Sequence, residues 1–136
     1  MKKRFLELTL ISLLIFSVLF MTGCQAGNAY KATKTAGKYI VTLQMNHNPP
    51  VAGKNEATVN VKDQSGNAVT DAKVIVEYSM PAMPGMPAMN HKADTVLEGK
   101  AYKTTIDLMM SGSWTITTKI NRAGKIESAR FTVDAR

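Results

Sequence analysis

From residue 39 onward, apolar and polar side chains alternate with period two, the spacing that lays one face of a strand on a core and turns the other to water. Tyr39, Val41, Leu43 and Met45 alternate with Ile40, Thr42 and Gln44. Ala57, Val59 and Val61 alternate with Thr58, Asn60 and Lys62, and Val74, Val76 and Tyr78 with Ile75, Glu77 and Ser79. A weaker strand is predicted over 92–97. Tyr102, Thr104, Ile106, Leu108 and Met110 mark the inner face of a fifth strand, Trp114, Ile116 and Ile120 that of a sixth, and Ala129, Phe131 and Val133 that of a seventh. Turn-forming clusters separate them: Asn48-Pro49-Pro50, Gln64-Ser65-Gly66-Asn67, Glu98-Gly99-Lys100, Ser111-Gly112 and Asn121-Arg122-Ala123-Gly124. No stretch after residue 24 shows a helical period. About seven short antiparallel strands at this spacing predict an all-β, immunoglobulin-like sandwich over 37–136.

The N-terminus has a different pattern. Met1-Lys2-Lys3-Arg4 precedes a largely apolar run over 5–21, broken only by Glu7, and the run ends in Met21-Thr22-Gly23-Cys24. A basic start, an apolar stretch and small residues before a cysteine resemble a bacterial lipoprotein signal. That resemblance implies cleavage after residue 23 and acyl chains on Cys24. An uncleaved N-terminal anchor is the alternative, although 17 residues sit at the short limit for a spanning helix. Either way the rest of the chain is expected outside the cytoplasm, anchored to the membrane on the periplasmic or outer face. Residues 24–36, small and polar after the cysteine, are expected to form a flexible linker.

Composition narrows the functional classes. The 136 residues suit one domain. Cys24 is the only cysteine, so lipidation leaves no thiol for a disulfide, a thiolate metal site or redox chemistry. Removing residues 1–23 takes three basic and one acidic residue from totals of 17 and 10, leaving a net charge of +5. The basic residues are scattered and not interleaved with aromatics, which argues against nucleic acid as a partner. No phosphate loop, His-x-x-x-His pair or nucleophile–base pair is evident. The expectation is a binding protein and not an enzyme.

One segment departs from ordinary composition. Residues 80–89 read Met80-Pro81-Ala82-Met83-Pro84-Gly85-Met86-Pro87-Ala88-Met89. Proline pushes itself and the residue before it toward extended conformations. A polyproline II run has three residues per turn, so it would stack the four thioethers along one edge, about 9 Å apart at a rise of ~3.1 Å per residue. Gly85 is where such a run could bend. Alternating strand directions also place this loop, His47, His91 and Met109-Met110 at one end of the predicted sandwich. Thioethers and imidazoles are neutral, soft ligands suited to Cu(I) or Ag(I). Met80, Met83, Met86, Met89, His91 and His47 are therefore the candidate ligands for a metal-binding or metal-transfer module. Two other readings stay open. Met45, Met80 and Met110 fall on inward positions and fill core space equally well. An exposed Met-Pro loop also serves as a protein-docking surface on a membrane complex.

Three motifs carry a family resemblance: Gly66-Asn67-Ala68-Val69 with Asp71-Ala72-Lys73-Val74; the Met-Pro stretch; and Gly99-Lys100-Ala101-Tyr102 followed by Leu108-Met109-Met110-Ser111-Gly112-Ser113-Trp114. On these the chain resembles the YtkA-like domain, related to FixH-type proteins. The resemblance implies an exported β-sandwich and partners among metal-efflux or oxidase-assembly proteins. It carries over no ligand residue, and the lipoprotein-like signal here departs from the uncleaved membrane helix of FixH-type proteins.

Overall fold

The computed structural model describes residues 29–136; the predicted signal segment and Cys24 lie outside them. The described chain forms nine strands: β1 (Tyr30–Ala36), β2 (Tyr39–Met45), β3 (Gly53–Lys62), β4 (Lys73–Met80), β5 (Met89–Asp94), β6 (Val96–Glu98), β7 (Ala101–Leu108), β8 (Gly112–Arg122) and β9 (Lys125–Ala135). They pair antiparallel in two sheets, ordered β1-β2-β3-β7-β6 and β5-β4-β8-β9. The chain changes sheet between β3 and β4, β5 and β6, and β7 and β8. The predicted all-β sandwich is the architecture found.

The period-two positions supply its core. Trp114, Phe131, Leu43, Ile106, Leu108, Ile116 and Ile120 are among the largest fully buried side chains. Each comes from the apolar face of a strand whose other face is exposed or half-exposed, so the alternation alone fixed which way every long strand faces.

Two features differ from the sequence expectation. The C-terminal part of the expected linker is β1, paired along its whole length with β2 from Tyr30↔Met45 to Ala36↔Tyr39. Its inward positions are Tyr30, Ala32, Lys34 and Ala36, two alanines and a lysine among them, so its apolar face is too weak to register as a strand. Lys34 nonetheless serves the closure, its Nζ lying 6.0 Å from the centre of the Phe131 ring on β9. The weak strand predicted over 92–97 is two strands on different sheets, β5 paired with β4 and β6 paired with β7. Thr95 makes the corner, its hydroxyl donating to the Val74 carbonyl at 2.8 Å.

The crossing from β3 to β4 is pinned by a buried tyrosine. The Tyr102 hydroxyl donates to the Val69 carbonyl at 3.0 Å and accepts from the Ala72 amide at 3.3 Å. Val69 still pairs with the end of β3, its amide donating to Val61 at 2.8 Å, so Tyr102 holds the connection where it leaves one sheet for the other.

Candidate functional site

The antiparallel topology sends three connections to one pole of the sandwich: 46–52, 81–88 and 109–111. All methionines after Met21 lie at or beside that pole: Met45 ends β2, Met80 ends β4, Met89 opens β5, and Met83, Met86, Met109 and Met110 lie in the connections. The first residues of β1 arrive there too, the Tyr30 amide donating to the His47 carbonyl at 3.3 Å. Burial pushes the Tyr30 phenol above its usual range.

The Met-Pro segment is not a polyproline II run along one edge. It folds back on itself and extends the β4–β5 hairpin. Met80 pairs with Met89, and Met83 with Met86, in one continuous register. The Met83 amide donates to Met86 at 3.0 Å and the Met86 amide to Met83 at 2.9 Å. The bend is Pro84-Gly85. Proline fixes the first corner, and Gly85 takes φ +82° at the second, the signature of a type II turn. Pro81 and Pro87 have no N–H to donate, which is why the ladder lapses between the two methionine pairs.

This register divides the four thioethers into two pairs. Side chains alternate along a strand, so the odd step of three from Met80 to Met83 turns the outer pair toward the other face of the ribbon. Burial follows the division. Met80 is 2% exposed and Met89 packs half-buried on the core, whereas Met83 and Met86 are 42% and 40% exposed.

Beside the inner pair lies His91. It sits directly across from Tyr78 in the β4–β5 ladder. The two rings stack with centres 5.3 Å apart and planes 27° apart. Tyr78 in turn meets the Trp114 ring at 6.1 Å. Met89 lies two residues before His91 on the same face, and Met80 is its diagonal neighbour across the pair, a placement about 7–8 Å away between backbones and within reach of long side chains. The Nε2 atom of His91 is buried and has no hydrogen-bond partner among the described residues. Thr118 Oγ1 is likewise buried and unpartnered, but it lies in mid-core on β8. His91 is the orphan placed beside sulfur.

A third thioether approaches from the β7–β8 connection. Met110 packs half-buried against the core, and its carbonyl accepts the Trp114 indole N–H at 3.0 Å. Gly112, at φ +131°, leaves room for this corner, since a Cβ there would stand 3.1 Å from the Met80 methyl carbon. Met110 is absent from the sequence-predicted ligand set, although the sequence already places its connection at the same end as the Met-Pro loop; the set comprises residues of that loop and the two histidines.

The six predicted ligands thus separate. Met80, Met89 and His91 share one inward face. Met83 and Met86 form the exposed tip. His47 belongs elsewhere: it is exposed, tied to the first residue of β1, and β3 stands between β2 and β7 in its sheet. Cys24 lies outside the described residues. Among the described residues no group of three or more His, Cys, Asp or Glu is placed to hold a metal ion, so a metal at this pole relies on thioethers.

Comparison with known proteins bears on the fold. No curated protein matches the chain. Among solved structures, FetP of uropathogenic E. coli strain F11, crystallised as isolated after recombinant expression in the periplasm of E. coli BL21(DE3), is similar with a TM-score of 0.52 at 10% identity, over 78% of this chain and 95% of that one. A likeness at that identity is one of fold. The YtkA-like family model matches residues 33–119, from within β1 to near the end of β8. That stretch contains the whole methionine hairpin, the Tyr102 clamp and Trp114, and the chain belongs to the YtkA-like family.

Proposed function

We propose that this chain is an extracytoplasmic lipoprotein, anchored through Cys24, that binds Cu(I) or Ag(I) at its methionine pole and passes the ion on. Its work is binding and transfer, not catalysis. The observation that carries the reading is the inner face of the β4–β5 hairpin, where His91, whose Nε2 is buried and unpartnered, shares its face with Met80 and Met89 by strand register. Leaving a polar atom buried and unpaired costs about 1–3 kcal/mol. Coordination to a soft ion between imidazole and thioethers would relieve that cost. Neutral ligands leave the ion's charge uncompensated, which favours moderate affinity and onward transfer. The exposed Met83–Met86 pair at the tip suits a first point of capture, and Met110 is placed to complete the inner set.

Titration of the apo protein with Cu(I) in competition with a chromophoric chelator tests this. The variant Met80→Leu/Met83→Leu/Met86→Leu/Met89→Leu preserves side-chain volume at a cost below about 1.5 kcal/mol per buried site. The wild type is expected to bind at least about tenfold more tightly, equivalent to ~1.4 kcal/mol. Equal affinities would remove the metal reading. The exposure of Met83, Met86 and, at 62%, Met109 favours a second reading in that event: a hairpin that docks on a protein of a membrane complex without metal.

A further inference from the structure

The two poles of the sandwich differ sharply in charge. At the methionine pole, residues 44–53, 78–91 and 108–118 contain no Asp, Glu, Lys or Arg. The opposite pole carries Lys38, Lys62, Asp63, Asp71, Lys73, Glu98, Lys100, Arg122, Lys125 and Glu127 in its turns and strand ends. There Arg122 pairs with Asp71 at 2.9 Å, and that hydrogen bond holds the Asp71 carboxyl below its usual range. The uncharged pole also exposes Met83, Met86 and Met109. Around its rim the charges are balanced: Lys54 stands opposite Asp107 in the β3–β7 ladder, and the exposed Lys31 and Arg136 are matched by the exposed Glu56 and Asp134. A tip free of charged side chains that exposes thioethers can enter a lipid headgroup layer without burying an ion.

Chain length points the same way. Tyr30, the first strand residue, lies at the methionine pole, opposite Met45 in the ladder. Only five residues separate it from Cys24, and six peptide steps reach at most about 20 Å. The eleven residues of β8 span about 35 Å at ~3.3 Å each. A domain standing on its charged pole would need the tether to cover that whole length, which it cannot do. We infer that the methionine pole rests on the outer surface of the lipid bilayer, with Met83, Met86 and Met109 in the headgroup layer and the charged pole facing away. The inference rests on the lipid anchor at Cys24 proposed above and is independent of metal binding.

The test uses the full lipidated protein, in which acylation of Cys24 leaves any introduced thiol as the single labelling site. Ala88→Cys at the methionine pole and Ser65→Cys at the charged pole carry a nitroxide, both at exposed positions. The metal-free proteins are reconstituted in phosphatidylcholine–phosphatidylglycerol vesicles containing a nickel-chelating headgroup lipid. Relaxation of the label by the lipid-bound nickel is expected to be at least about threefold stronger at 88 than at 65, as an interfacial pole requires. Equal or reversed relaxation overturns the inference while leaving the anchor standing. A position 88 shielded in native membranes but free in pure lipid vesicles also overturns it, since a membrane protein would then cover the pole. The intact mass reports the anchor separately: a chain without acyl groups on Cys24 removes both the anchor and this orientation.

Discussion

His91 presents one flat apolar ring to Tyr78 and one buried nitrogen to no partner. The two roles are separable. Replacing an unsatisfied polar group with an apolar one of similar shape is close to neutral for stability. His91→Phe keeps a ring to stack and removes the orphan. Its unfolding free energy in denaturant is expected to equal the wild type's or exceed it by up to about 1 kcal/mol. Its Cu(I) affinity is expected to fall at least about tenfold, ~1.4 kcal/mol. Loss of stability with unchanged metal binding would show the imidazole to be structural. The same contrast separates Met80, whose methyl group is seated against Gly112, from Met83 and Met86, which are 42% and 40% exposed at the tip.

At the scale of elements, the methionine hairpin is held in place from both sides. Its first strand, β4, is central in its sheet, between β5 and β8. Its approach from the other sheet is fixed by Tyr102, whose hydroxyl satisfies Val69 and Ala72 together. Tyr102→Phe leaves a carbonyl and an amide of that connection without their partner, and a loss of about 1–3 kcal/mol is expected in chemical denaturation. The loss falls at the charged pole, so Cu(I) affinity measured on the folded protein is expected to stay unchanged. A fall in affinity alongside stability would mean that the two poles are coupled through β4. Trp114 does the corresponding work at the methionine pole, fixing Met110 through its indole N–H.

For the molecule as a whole, the arrangement amounts to a rigid sandwich with soft donors at one pole and ordinary charged turns at the other. Ligand that binds only the folded state raises its stability by RT ln(1 + [L]/Kd), about 2.7 kcal/mol at a hundredfold excess over Kd. Ag(I), which needs no reductant, is therefore expected to raise the thermal midpoint. Zn(II) is not, because the described residues bring together no trio of His, Cys, Asp or Glu and thioethers are poor ligands for it. Thermal unfolding with each ion checks this. A larger shift with Zn(II) than with Ag(I) would contradict a thioether site.

The sequence by itself determined the sandwich, its inward faces and the gathering of methionine at one end. Alternation with period two leaves a strand one way to bury its apolar set, and turn residues between strands fix where the chain reverses. The alternation was blind where the inward face is only weakly apolar: β1 lays Tyr30, Ala32 and Ala36 on the core while Lys34 stays exposed, and β5 uses Met89, His91 and Ala93. Only the tertiary structure decided how the methionines group. A Met-Pro period of three is compatible with an extended edge or with a hairpin, and local preferences do not choose between them. The ladder of β5 on β4 chooses the hairpin, because continuing its register brings Met83 opposite Met86 and bends the chain at Pro84-Gly85. That pairing sends two thioethers inward to His91 and two outward, and it leaves His47 on another part of the pole. Which sulfur meets which nitrogen depends on strand pairing between distant residues, and no single stretch of sequence contains it.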